Sequence, residues 1–298
     1  MSELIHISND TLRLVVSPKL GGSILSFEAL ISGNWQPFLR NSGNVEHVLN
    51  TASFPMVPFC NRIRNGLFHW QDQAVQLSAN HPPEPHAIHG FGWQQPWVTE
   101  HVSLNQILLS HNEEGQRWPF CYLARQLFTL SRRSVRVEMT VTNHSQQLMP
   151  AGLGFHPYFP LTPDVRFITH CSEKWLVDND AMPTSRVPAP DTMASLIGFP
   201  LANSNLDNLF EGFDGHTKII WPGSGSQLDI RASNNCRFLQ IFTPDNEDYF
   251  CVEPQSMCVD GFNRHQQGDT STGVTLLAPG ETLKIWMELF PTKLETPT

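Results

Sequence analysis

Charge is what this sequence has least of. Only 16 % of its 298 residues are Asp, Glu, Lys or Arg, the formal balance is −9, and no run of Lys or Arg occurs. Clustered positive charge is what holds a phosphate backbone or an anionic membrane surface, so neither nucleic acid nor membrane is an expected partner. A neutral ligand is left open. No segment approaches the ~20 apolar residues of a membrane span. The start, Met1-Ser2-Glu3-Leu4-Ile5-His6, has neither the basic region nor the apolar stretch of a secretory signal. The six cysteines (Cys60, Cys121, Cys171, Cys236, Cys251, Cys258) form no Cys-x-x-Cys pair and no zinc-like Cys/His spacing. They read as reduced, buried thiols, and the expected location is cytoplasmic. Long helical periodicity is nearly absent as well.

What is present is a succession of short strand-like runs. Leu12 to Val16, Ile107 to Leu109, Val135 to Val141 and Leu283 to Leu289 are examples. The last two alternate apolar and polar side chains, which predicts one face on a core and one in water. Twenty-three prolines and nineteen glycines punctuate the runs along the whole chain. Apolar residues reach 40 %, enough for a sizeable core. Many short strands with turn signals predict an all-β protein, a large antiparallel β-sandwich or barrel. No linker, low-complexity tract or repeat is visible, so residues 1–298 read as a single domain. The stretch Pro183 to Pro190 reads as a long surface loop.

Four segments place titratable side chains among aromatic, Pro and Gly residues, the setting of a cleft rather than a solvated face. Pro55 to Gly66 carries Arg62, whose fork of donors suits carboxylates or sugar hydroxyls. His86 to Trp97 sets His86 and His89 beside Trp93 and Trp97, without a carboxylate to complete a metal site. Gly152 to Leu161 holds His156, a residue able to donate or accept a proton near neutrality. Tyr249 to Gln255 holds Glu253, a carboxylate that burial would move into the range of a useful base. Each taken singly reads equally well as structural. Together they supply a His, a Glu, an Arg, a second His and aromatic platforms, and no nucleophile elbow, phosphate loop or metal cluster. That set suits proton transfer on a neutral polyol better than acyl or phosphoryl chemistry.

At these residues the chain resembles the aldose 1-epimerase (galactose mutarotase) family, closest to a bacterial branch whose sugar is often unassigned. The matching motifs come in family order: Asn61-Arg62-Ile63, His89-Gly90, Phe155-His156-Pro157-Tyr158-Phe159, Leu206-Asp207-Asn208-Leu209-Phe210 and Val252-Glu253-Pro254-Gln255. The resemblance runs from Gly21-Gly22 to Leu277-Ala278-Pro279-Gly280-Glu281. It implies a galactose mutarotase-like supersandwich that interconverts the anomers of a hexose without metal or organic cofactor. It further implies that His156 is the general acid protonating the ring oxygen and Glu253 the general base taking the anomeric proton. Arg62, Asn61 and His89 would then hold ring-side oxygens, with Asp207 and Gln240 on sugar hydroxyls. The pair is expected on opposite sides of C1, with room for a pyranose between. Two departures bear on specificity: Phe91 where the family often has a second glycine, and Ser256-Met257-Cys258 after Gln255. Two alternatives stay open. One is a hexose-6-phosphate mutarotase using Arg64, Arg264 or Lys174. The other is a non-catalytic carbohydrate-binding protein on the same fold. A monomer or homodimer is expected.

Overall fold

The computed structural model describes residues 4–43 and 45–294; Met1 to Glu3, part of the segment read above for a secretory signal, lie outside them. Two large antiparallel sheets of eleven and nine strands dominate, with three two-stranded sheets beside them. One α-helix, Gly261–Gln266, is described. The expected alternation is what builds the sheets. Along Val135–Asn143 every odd-numbered residue is buried and every even one partly exposed. Thr282–Lys293, paired with it, buries Leu283, Ile285, Met287 and Leu289. Side chains from both large sheets meet in one continuous apolar cluster that runs from Ile7 to Leu289. Burial of that area, at about 25 cal/mol per Å² of apolar surface, is the main force holding the fold. No helix of the described residues is long and apolar enough to cross a membrane.

One sequence expectation is corrected. Pro183–Pro188 is a strand, paired with Glu173–Val177 at the end of the eleven-stranded sheet. The prolines mislead because an edge strand tolerates them: its outer N–H row has no ladder partner to lose. Its surface exposure is as expected.

Five neighbouring strands of the larger sheet position the candidate site. In spatial order they are Ser53–Met56, Gly154–Pro160, Tyr249–Gln255, Phe238–Phe242 and Asp207–Glu211. Register decides which side chains meet, because residues directly opposite in an antiparallel pair share a face. Phe54 lies opposite His156. Gly154 pairs with Gln255 and Tyr158 with Cys251, which sets His156 opposite Glu253 between them. Glu253 in turn lies opposite Gln240. One straight row across the sheet therefore reads Phe54, His156, Glu253, Gln240. The next row, two residues along each strand, carries Tyr158, Cys251, Phe242 and Asp207.

Candidate active site

Above this face lies a cavity of about 400 Å³, with His156 and Glu253 in its wall together with Asn61, Arg62, His89, Asp207 and Gln240. All seven sequence-predicted residues are thus brought to one place. The row geometry explains four of them. Asn61, Arg62 and His89 come from two short segments that hook over the sheet, the Arg62–Ile63 strand pairing with Ala87–Ile88. Asn61 and His89 both adopt left-handed backbone, φ 59° each. They hold each other: the His89 N–H donates to the Asn61 carbonyl (3.0 Å), and the Asn61 N–H to His89 Nδ1 (3.2 Å). Because Nδ1 accepts, the neutral ring must carry its proton on Nε2, leaving an N–H for a ligand. Burial, with the Arg62 charge nearby, holds this imidazole well below its ordinary pKa, so it is uncharged. Gly90 follows at φ 68°, and a Cβ there would sit 2.0 Å from the Val57 carbonyl oxygen. Only glycine lets this hook lie flat on the sheet.

A chain of amides links the floor to the rim. Gln255 Nε2 donates to Glu253 Oε2 (3.1 Å) and Asn61 Nδ2 to Gln255 Oε1 (3.4 Å). Asn61 Nδ2 also donates to Gln240 Oε1 (3.2 Å), and Gln240 Nε2 to Asp207 Oδ1 (2.7 Å). Carboxylates terminate the chain at both ends, so each amide has one orientation that satisfies all contacts. Arg62 continues it, 3.8 Å from Asp207 and bidentate to Glu84 through Nε and Nη2 at 2.9 Å each. Glu84 is a site residue that sequence reading missed; it sits in the Pro-rich loop before His86, with no motif around it. Burial opposes its charge, but the Arg62 fork outweighs that and holds its carboxyl below the ordinary value.

His156 is held differently. Its ring packs against two aromatic neighbours, Phe54 (centroids 4.4 Å, 29°) and Tyr158 (4.8 Å, 29°), which also meet each other at 6.1 Å. Trp93 stacks on Phe54 at 5.1 Å, and the Arg40 guanidinium lies 3.8 Å over Tyr158. The imidazole is therefore held within an aromatic cluster that restricts its plane. Its Nε2 is 3.5 Å from Glu253 Oε1, and its Nδ1 has no partner among the described residues. At 3.5 Å the contact is too long for a strong hydrogen bond, and both groups keep capacity for a ligand. Burial drives His156 down to about 3 and, helped by the nearby Asp207 charge, holds Glu253 well above the ordinary carboxylate range. Both shifts favour the uncharged forms, so a proton shared by the pair rests preferentially on Glu253.

A sequence model of the aldose 1-epimerase family matches residues 3–289 of the chain. The protein belongs to the aldose 1-epimerase family. The chain is 29 % identical to the uncharacterised protein YphB of Escherichia coli (strain K12), over 95 % of its own length and 97 % of that protein's. A solved structure of an Escherichia coli K12 protein, provisionally assigned as an aldose 1-epimerase, superposes with a TM-score of 0.89 at 28 % identity, covering 98 % and 99 % of the two chains. The aldose epimerase homologue of C. elegans shares the fold, with a TM-score of 0.83 at 17 % identity over 99 % and 100 %.

Within this member of the aldose 1-epimerase family, two expected determinants of specificity are not at the cavity. Phe91 is buried, its ring edge-on to Phe59 at 6.4 Å, and does not line the wall. Ser256, Met257 and Cys258 are also buried off the cavity; Ser256 Oγ accepts the Leu153 N–H (2.8 Å). The walls beyond the seven expected residues are instead Arg40, His81, Glu84, Trp93, Tyr158, Phe242, Glu247 and Tyr249, with Leu49, Asn50, Phe54 and Ile88. His86 is structural, accepting the Asn65 N–H through Nδ1 (3.0 Å). Trp97 belongs to the core and donates to the Gly92 carbonyl (2.9 Å). The pair itself departs from expectation too. A 3.5 Å gap leaves no room for a pyranose between His156 and Glu253.

Proposed function

We propose that this protein is a mutarotase for a free aldohexose, with Glu253 and His156 exchanging protons with O1 and O5 of the sugar. The observation that carries the reading is the pair itself: a buried acid and base opposite each other in register, 3.5 Å apart, in the wall of a sugar-sized cavity. O1 and O5 are bonded to the same carbon. An acid and a base that must reach both from one side have to be close neighbours. The sugar then lies over the pair, with its anomeric edge down, rather than between its members.

Proton flow follows from the pair's single proton. Glu253 takes the O1 proton while imidazolium His156 gives its Nε2 proton to O5; the C1–O5 bond breaks and the aldehyde forms. Glu253 is now neutral and His156 uncharged, the distribution that burial favours. The site is thus biased toward the state that accompanies the open chain. After rotation about C1–C2, the same two protons return and the ring closes with the other hand. A positioned acid and base contribute on the order of 10²–10⁴-fold. The amide chain and Asp207 offer acceptors and donors to ring hydroxyls, with His89 Nε2–H beside them.

A neutral sugar suits the cavity better than its 6-phosphate. Arg64 and Arg264 pair with Asp178 (3.4 Å) and Asp269 (2.9 Å), and neither they nor Lys174 line the cavity. The two wall arginines are already engaged. Arg62 is bound by Glu84, and Arg40 donates to the Leu49 and Thr51 carbonyls. A non-catalytic binder would have no use for an adjacent acid and base. Polarimetry on freshly dissolved α-aldoses and their 6-phosphates tests the reading. Catalysed mutarotation of a free hexose is the expected result; sugar binding without rate enhancement would overturn it.

A further inference from the structure

The proposed acid/base chemistry leaves one buried nucleophile at the site unused. Cys251 lies two residues before Glu253, on the same face of the strand, and opposite Tyr158 in register. An imidazole nitrogen of His156, the Cys251 sulfur and a Glu253 carboxylate oxygen all lie within 4.8 Å of one another. Nitrogen, thiolate and carboxylate are together the donor set of zinc and its borderline neighbours, not of magnesium or calcium.

We infer that His156, Cys251 and Glu253 form an open three-ligand site for a divalent transition-metal ion of the zinc type, with the sugar cavity supplying the fourth position. Bonds of about 2.0–2.3 Å at tetrahedral angles set ligand atoms roughly 3.3–3.8 Å apart. The His156–Glu253 separation of 3.5 Å already meets this. The sulfur needs to approach by about an ångström at most, within reach of small side-chain shifts. An outer partner is in place: Gln255 Nε2 holds the second oxygen of Glu253 at 3.1 Å. The binding step balances simply. The Cys251 thiol loses its proton to solvent as the sulfur–metal bond forms, and any proton on Glu253 leaves likewise. Thiolate and carboxylate then neutralise the dication, with the imidazole uncharged.

A metal seated there engages both groups assigned above to proton transfer, so it inhibits. That consequence rests on the mutarotase reading; the binding does not. The experiment separates them. The metal-free purified protein is titrated with Co²⁺ and followed by absorption. One equivalent is expected to give a sulfur-to-cobalt charge-transfer band with the visible bands of a tetrahedral ion, and Zn²⁺ to abolish both. Cys251→Ala is expected to lose the charge-transfer band. Glu253→Gln, an isosteric change that tests the site should the Cys251 variant not fold, is expected to weaken Co²⁺ binding about tenfold or more. Absence of the band in the wild-type protein overturns the proposal, as does its survival in Cys251→Ala or unchanged affinity in Glu253→Gln. In parallel, the ratio of mutarotation rates with and without Zn²⁺ is read for wild type and Cys251→Ala. A ratio well below one in the first and near one in the second supports inhibition through this site. A protein that binds cobalt as described but has no mutarotase activity leaves the metal site standing and removes the mutarotase reading.

Discussion

Replacing Glu253 by Gln removes one thing and keeps almost everything else. The amide has the shape of the carboxyl, its oxygen still accepts from Gln255 Nε2, and its NH₂ faces neutral His156 across the present 3.5 Å gap. Because burial already favours the uncharged carboxyl, no buried charge is stranded and the fold is expected to hold. The base, however, is gone. Loss of one positioned proton acceptor corresponds to ~10²–10⁴ in rate, or about 3–5.5 kcal/mol of barrier at 1.36 kcal/mol per tenfold. The ring hydroxyls keep their partners in the Asn61–Gln240–Asp207 chain, so sugar affinity is expected to change little. The assay pairs polarimetric rates on a fresh α-aldose with calorimetric binding of the equilibrated sugar. Turnover within tenfold of wild type refutes the base assignment. Binding lost in step with turnover refutes the placement of the sugar over the pair.

The pH profile of kcat/KM is expected to be bell-shaped, because only the singly protonated pair can pass a proton each way. The acid limb should fall near about 3, set by His156, and the alkaline limb above the ordinary carboxylate range, set by Glu253; an acid limb near 6.5, the unperturbed histidine value, would contradict this. Glu84→Gln loosens the grip on Arg62, so KM should rise more than kcat falls, and the penalty against a 6-phosphate sugar should shrink, both read by the same assay. Phe91→Leu should leave the ratio of kcat/KM values between two aldoses unchanged, since Phe91 does not face the cavity. Gly90→Ala forces a Cβ against the Val57 carbonyl at positive φ and should cost at least ~1–3 kcal/mol of stability in urea unfolding.

The strand character of the chain was legible because alternation is a local signal: Val135–Asn143 and Thr282–Lys293 announce their buried faces residue by residue. His156 and Glu253 were legible because a single histidine stood in one largely apolar strand and a single carboxylate in another. Their contact was not, since the register that opposes residues almost a hundred apart is set by the whole sheet. Glu84 and Arg40 carry no local signature: one sits in a proline-rich loop and the other lies over an aromatic cluster whose Trp93, Phe54 and Tyr158 come from three segments. Phe91 and the segment after Gln255 misled for a converse reason. Difference from a family pattern marks where packing changed, and at both places the change lies in the core.

The row Phe54, His156, Glu253, Gln240 belongs to the sheet, while Glu84, His81 and Glu247 belong to the loops above it. On the proposed reading the reacting groups are therefore anchored in the hydrogen-bonded sheet, and the groups that would meet the outer hydroxyls in the more replaceable loops. Loop grafts across 79–86 and 244–248 should accordingly redirect which aldose is accepted without retuning the proton exchange. A library confined to those few positions is the economical route to a mutarotase of chosen preference.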